Sequence, residues 1–395
     1  MNRNDCPSSY CNYCNKHSKE EKVKMRIDIA PEKIKKIMRR MSAVSSGRTA
    51  MPVLSSTKID GFRDSTRFTA TDLEMDIVIE DTKTAAAEEG TVCLDTALLR
   101  KIVEKEKGFE ISIKSDGNGA TLKSSGNTKI NGYDPKEFPQ VDSDIDEAAE
   151  KITIEPEKLA FAIQNTLHAT AHEDDVPVLS GVCIEEKDGQ LVVAATNSFN
   201  LALCEIRPDV ILLDGIHVIP KKFLQVLLPE LAGVGHYHVT LEIRKSSIKA
   251  ILADGYIRSR LISGDYPKYE NVLPDREDMD IVCDIDRKAL LQKVDQCMLF
   301  GDTIDMHIEN QVVTLTSKGD EGMTEQSISA DVHIDKNQEK FANALNAKYL
   351  RQFLCNATGE TITMGLTKPL KPILLWSDED EGYQHLVMPI KRMEA

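Results

Sequence analysis

A chain of 395 residues with 41% hydrophobic and 29% charged side chains has the balance of a soluble globular protein, and length for about two to four domains of roughly 100–200 residues each. Its formal net charge of −15, taken as a sum, argues against a nucleic-acid binder, because phosphate contacts call for Lys and Arg, so the placement of the basic residues must decide. No apolar run approaches the ~18 residues of a membrane span, the stretch from Met1 to Lys24 is polar and unlike a signal peptide, and nine cysteines, mostly scattered singly in apolar segments, read as reduced core thiols of a cytoplasmic protein.

The first 24 residues include the run CPSSYCNYCNKH, where Cys6, Cys11, Cys14 and His17 supply donors of the kind zinc takes. The spacing is not that of a standard finger, so residues 1–24 are expected to be a disordered extension holding no metal. Ile27 and Ile29 then alternate as a short strand, and Pro31 stands where the first turn of a helix tolerates it. Ile34, Ile37, Met38 and Met41 follow at the spacing of an amphipathic helix, with Lys33, Lys35, Lys36, Arg39 and Arg40 expected on its other face. Strand-like alternation runs from Lys58 to Glu80. A second helix from Asp95 is expected to bury Leu98, Leu99, Ile102 and Val103 and to expose Arg100, Lys101 and Lys105. The short strands FEISIK, GATLKS and NTKING close the set, punctuated by Gly and Asn turns.

This pattern then recurs. MPVLSS at Met51 returns as VPVLSG at Val176, IDIAPEK at Ile27 as ITIEPEK at Ile152, TATDLEMDI as AATNSFNLA, and LDTALL at Leu94 as IPKKFL at Ile219, each displaced by 125 residues. Four anchors in one order at one spacing mean a duplicated unit. A more worn third copy starts at CDIDRKALL (Cys283) and continues in LNAKYL (Leu345); it lacks a Pro-Val-Leu-Ser and is shortened around Leu299 to Thr303. EFPQV (Glu137) and DYPKYENVLP (Asp265) close the first two copies. Each copy is α+β, two helices against a larger set of antiparallel strands.

The threefold repeat, TATDLEMDI, DYPKYENVLP and the C-terminal HLVMPIKRM (His385 to Met393) together resemble the bacterial sliding clamp family, the β subunit of DNA polymerase III, over Met25 to Met393. The resemblance implies three clamp domains, at 25–147, 148–278 and 279–395, with helices lining the inside and sheets the outside of a ring. It further implies a head-to-tail homodimer that encircles double-stranded DNA without sequence specificity. Its partners would be the polymerase III alpha subunit, a separate ATP-driven clamp loader and other proteins carrying clamp-binding motifs, with no membrane and no cofactor involved.

The charge distribution agrees with that expectation. Basic residues gather on the helices, at Lys35, Lys36, Arg39, Arg40, Arg100, Lys101, Lys221, Lys222 and Arg351, while acids crowd strands and loops, as at Asp142 to Glu147 and Asp378 to Glu381. A basic lining within an acidic shell draws DNA inward, and phosphate contacts alone suit a protein that slides. The first helix of the second copy departs from this, offering mainly Lys158, His168 and His172. By resemblance, Arg48 in SSGRTAMPVL matches a basic loop residue near DNA and Lys222 a DNA-contacting lysine, while Glu173 falls where an acid weakens contact. The resemblance also implies a groove for short peptide motifs at Leu179, Thr196, Leu201, Pro267, Val272, Leu386, Val387, Met388, Pro389 and Ile390, an apolar, Met-containing site suited to varied ligands. Here the family's usual Asp-Gly-His-Arg turn reads Asn197, Ser198, Phe199, Asn200.

No phosphate-loop, nucleophile-elbow or zinc-protease motif occurs, and no residue is assigned a catalytic role. Two rival classes are a clamp-fold adaptor that does not encircle DNA and a metal-dependent nuclease built on acids such as Asp174-Asp175 or Asp302 and Asp305.

Overall fold

The 125-residue displacement in the sequence is also the displacement of the folded elements. The computed structural model describes residues 25–45, 50–141, 149–172, 175–232, 238–334 and 341–391. In it, helices α1 (Pro31–Val44) and α2 (Thr96–Lys105) are followed 125 residues later by α3 (Pro156–Thr166) and α4 (Lys221–Leu231). The third pair, α5 (Arg287–Cys297) and α6 (Ala347–Asn356), starts 60 residues apart (347 − 287), against 65 for the first (96 − 31). The missing Pro-Val-Leu-Ser thus shows up as a shorter connection between helices. Arg48, Glu173, Asp174 and the Cys/His run of the extension lie outside the described residues.

Local chemistry explains the helix starts. Pro31 and Pro156 occupy first-turn positions, where the absent N–H would have no intrahelical partner. On α2, α5 and α6 a side chain caps the helix: Asp95 accepts from Leu98 N at 2.8 Å, Asp286 from Ala289 N at 2.7 Å and Asn346 from Lys348 N at 2.9 Å. Along α1 the buried positions are Ile34, Ile37, Met38, Met41 and Val44, as the periodicity predicts, but Arg40 joins them. It is only 8% exposed and makes a two-pronged ion pair to Asp254, at 2.5 and 3.0 Å. On α2 the expected apolar face is narrower than predicted, because Leu98 is 46% exposed while Leu99 and Val103 are buried.

The described residues fall into two compact units, one of Met1–Ser143 with Asp254–Tyr256 and one of Asp144–Ala253 with Ile257–Ala395. In the first unit a five-stranded antiparallel sheet runs in the order Ala86–Glu88, Arg26–Ile29, Ile111–Asp116, Gly119–Lys123, Asn127–Ile130. A second set, Gly132–Tyr133, Gly90–Asp95, Ser56–Gly61, Thr66–Thr71 and Met75–Asp81, is also antiparallel throughout. In the second unit a nine-stranded antiparallel sheet places Asn200–Ile206 against Tyr383–Val387, so Leu201 pairs with Leu386 and Asn200 with Val387. A four-stranded sheet ends at the eight-residue edge strand Gly322–Ser329. The helices pack in pairs within each copy, α1 on α2, α3 on α4 and α5 on α6.

The two Pro-Val-Leu-Ser copies are single turns of 3₁₀ helix, Pro52–Ser55 and Pro177–Ser180. The Thr-Asx turns that follow are duplicated down to their hydrogen bonds. Thr71 Oγ1 accepts from Leu73 N at 3.0 Å, and Thr196 Oγ1 from Ser198 N at 3.1 Å. Asp72 Oδ1 accepts from Glu74 N and Met75 N, and Asn197 Oδ1 from Phe199 N and Asn200 N. Leu73 and Ser198 both adopt positive φ, 77° and 75°, which costs a side chain some strain and which the surrounding bonds hold in place.

Candidate nucleic-acid interface and peptide groove

In the first unit the basic faces of α1 and α2 adjoin. Glu104 lies between them, 2.9 Å from Arg100 Nε and 3.9 Å from Arg39 Nε. The hydrogen bond from Arg100, aided by the charges of Arg100, Arg39 and Lys35, holds its carboxyl below the ordinary range. Lys36, Arg39 and Lys101 are exposed, whereas Lys35 is half-buried and bonded to Glu32 at 2.8 Å. Arg40, turned inward to Asp254, is corrected from a solvent-facing position to a buried one.

The second unit supplies further cations. Lys222 is exposed and Lys221 half-buried at the start of α4. Arg351 on α6 is exposed and bonded to Asp295 on α5 at 2.6 Å. His168, read in the sequence as part of a solvated helix face, is instead stacked 5.2 Å from the ring of His385. Among the described residues no three His, Cys, Asp or Glu side chains converge as a metal site, and no helix is long and apolar enough to cross a membrane.

The groove is a pocket of about 170 Å³ in the second unit. Of the predicted residues, Leu179, Thr196, Leu201, Pro267, Val272, Leu386 and Met388 line it. Val387 does not: it follows Leu386 in an extended strand, so its side chain points to the opposite face and is buried there. Pro389 and Ile390 are half-buried outside the lining, with Ile390 N donating to Ala344 O at 2.7 Å. Ser198, Asn200, Lys268 and Tyr269 line the pocket without having been singled out as groove residues. Their signal lay in the two quoted motifs, the altered turn and DYPKYENVLP, which contribute more of the wall than the C-terminal segment does.

A charged cluster fixes that wall. The Tyr269 hydroxyl donates to Glu185, Lys187 Nζ donates to the Tyr269 hydroxyl at 3.0 Å, and Lys187 also meets Glu270 at 2.6 Å. Lys187 Nζ stands 4.8 Å from the Tyr269 ring centroid, a cation–π contact. Burial first, and then the bond to Glu185, push the Tyr269 hydroxyl well above the usual tyrosine range, so it remains a donor. Beneath the groove Tyr266, Met279, Leu374 and Trp376 form one buried cluster with Leu179, Leu201 and Leu386.

Three family models match in sequence order: the DNA polymerase III beta subunit N-terminal domain over residues 25–142, its central domain over 153–268 and its C-terminal domain over 270–391. The chain belongs to the DNA polymerase III beta subunit family. It is similar to the beta sliding clamp of Proteus mirabilis, 23% identical over 374 residues that cover 93% of this chain and all of that one. The beta sliding clamp of Staphylococcus epidermidis is 25% identical, over 88% of this chain and 94% of the relative. Solved folds agree. The DNA polymerase III subunit beta of Pseudomonas aeruginosa superposes with a TM-score of 0.86 at 22% identity, and the DNA polymerase sliding clamp of Bacillus subtilis with 0.85 at 22%, each over 93% of this chain and 100% of the other. The three successive antiparallel modules are therefore sliding-clamp domains, and the family is one of non-catalytic processivity factors.

Proposed function

We propose that this clamp is a DNA polymerase processivity factor that closes as a head-to-tail homodimer around double-stranded DNA, with domains at 25–147, 148–278 and 279–395. The duplicated module with paired helices carries the reading, because it repeats a basic helix face without repeating any catalytic group. Lys36, Arg39, Arg100, Lys101, Lys221, Lys222 and Arg351 face the phosphates in this reading, with Arg48 beside them and Lys35 as a half-buried neighbour; Arg40 holds Asp254 instead. The pocket at Leu179, Leu201, Leu386 and Met388 receives short motifs from the polymerase alpha subunit, the loader and other clamp-binding proteins. Loading falls to a separate ATP-driven partner in the cytoplasm.

Dimer closure has support in each unit. The two large apolar side chains most exposed among the described residues are Phe109 in the first unit and Leu299 in the second. Among the described residues the strands Asn127–Ile130 and Gly322–Ser329 are sheet edges, of the kind that can pair with another chain. Joining the first-unit patch of one copy to the second-unit patch of the next, twice, makes a closed ring.

The test is retention of the loaded protein on nicked circular DNA before and after a single cut linearises the circle. Release on cutting is expected. Equal retention on both forms would mean ordinary electrostatic binding and would favour the non-encircling adaptor.

A further inference from the structure

The groove belongs to a chain of net charge −15, yet among the described residues no acid lines it. The only charged side chain among the lining residues is Lys268. It is exposed just before the short turn Tyr269–Val272, and among the described residues its ammonium makes no hydrogen bond or salt bridge. The acids of the adjoining wall are already engaged. Glu270 accepts from Lys187 at 2.6 Å, and Glu185 meets Lys187 at 2.8 Å while accepting the Tyr269 hydroxyl. The bond from Lys187 is the main influence holding the Glu270 carboxyl below the ordinary range, and the charge of Lys268 contributes least to it.

The repeat shows that the fold does not require this absence of acids. The turn of the first copy makes the same backbone bonds as the turn at the groove, but it carries Asp72, Glu74 and Asp76 where the second copy has Asn197, Phe199 and Leu201. Phe199 is exposed, so burial does not account for the charge missing there. The copy that builds the pocket is the one whose turn holds no acid.

We propose that the groove selects peptides that carry an acidic side chain, Asp or Glu, next to the apolar residues that fill the pocket, and that Lys268 is the residue that selects them. A cavity of about 170 Å³ walled by Leu179, Leu201, Leu386 and Met388 takes the apolar side chains. A lysine stem lies along apolar surface while its ammonium stays in water, so Lys268 meets a carboxylate at the mouth, where a basic ligand residue would find a like charge and no free acid. An exposed ion pair changes affinity by about two- to fivefold and is screened by salt. Lys268 therefore ranks ligands that the apolar wall holds. This inference rests on the groove being a peptide site.

The test uses the full chain. Hexapeptides amidated at the C-terminus are selected from a random library at low salt, and those that bind Met388→Gln more weakly than wild type are kept as groove ligands. Asp or Glu should be enriched at one position among them. Exchange of that residue for Asn or Gln should weaken wild-type binding about two- to fivefold at ~20 mM salt and cost nothing at ~0.5 M. Lys268→Gln should be indifferent to the exchange, and Lys268→Glu should prefer Lys at that position. Both variants should hold the exchanged, neutral peptide as wild type does, which separates a lost ion pair from a damaged pocket. Unamidated peptides that need Lys268 without any acidic side chain would assign the cation to a chain terminus and overturn the proposal. Groove ligands with no acidic enrichment, or acidic ones that bind Lys268→Gln as tightly as wild type, would also sink it and leave the groove standing. A selection that yields no ligand sensitive to Met388→Gln would remove the groove reading, and this inference with it.

Discussion

His385 is wholly enclosed, with its ring stacked on that of His168 and 5.7 Å from that of Phe353, and among the described residues neither of its nitrogens has a partner. Burial, followed by the neighbouring His168, holds it well below the usual histidine range. Burial likewise brings His168 down to about 4, with Lys221 adding to the shift and a backbone bond at Gln164 opposing it. Both folded values lie below the unfolded value of about 6.5, so the unfolded chain takes up protons first as the pH falls. Stability that is full above pH ~6.5 should drain at up to about 1.4 kcal/mol per pH unit for each histidine, through the window between the two values. Urea midpoints measured from pH 7.5 to 4.5 should show this fall, and His385→Phe should flatten it; an unchanged slope in the variant would count against the pair. The sequence did not announce this pair, since His168 and His385 are 217 residues apart and each looks alone like a solvated polar residue. Arg40 was misread for a similar reason, because Asp254 lies 214 residues away and helical periodicity records which angle a residue occupies, not what waits there.

Helices are the elements that the sequence displayed best, because an apolar stripe of period 3.6 is visible without knowing what it packs against. The two helix starts read in the sequence, Pro31 and Asp95, are a first-turn and a cap position, and Pro156 and Pro220 stand at the corresponding places 125 residues later. What the stripe could not display is pairing between helices, and that decides the charge of the exposed face. Glu104 shares its carboxylate with Arg100 on its own helix and Arg39 on the other, so part of the basic surface is already neutralised. Glu104→Gln should therefore raise affinity for DNA several-fold at low ionic strength. It should also steepen the dependence of log K on log salt by up to about one unit for each cation released to a phosphate. Filter binding across a salt series would read both, and an unchanged slope would mean that Arg39 and Arg100 do not reach the backbone. All ten groove positions came from the family resemblance; Leu179, Thr196 and Leu201 line the pocket, whereas Val387, Pro389 and Ile390 do not, because a resemblance in sequence order does not record which face of a strand a residue takes.

At the scale of the whole molecule, a net charge of −15 is compatible with a role on DNA when the basic residues gather on helix faces, and in the proposed ring geometry, not affinity, keeps the protein in place. Leu299→Asp puts a charge in place of the exposed apolar side chain of the second unit and should leave a monomer of 44.0 kDa in sedimentation. The same variant should lose retention on circular DNA while still binding groove peptides, whereas a variant that stays dimeric and trapped would exclude Leu299 from the closure surface. The duplicated Thr-Asx turn leads to a different kind of consequence. At Thr71 to Met75 the chain keeps a second copy of the turn that shapes one side of the groove, set over strands that carry Lys58, Arg67 and Thr69 where the second copy has the buried Cys183, Val192 and Ala194. Evolution specialised one duplicate and left the other as an unfurnished room, and a protein engineer seeking an additional docking berth on this chain would find the hardest part, the strained turn, already built.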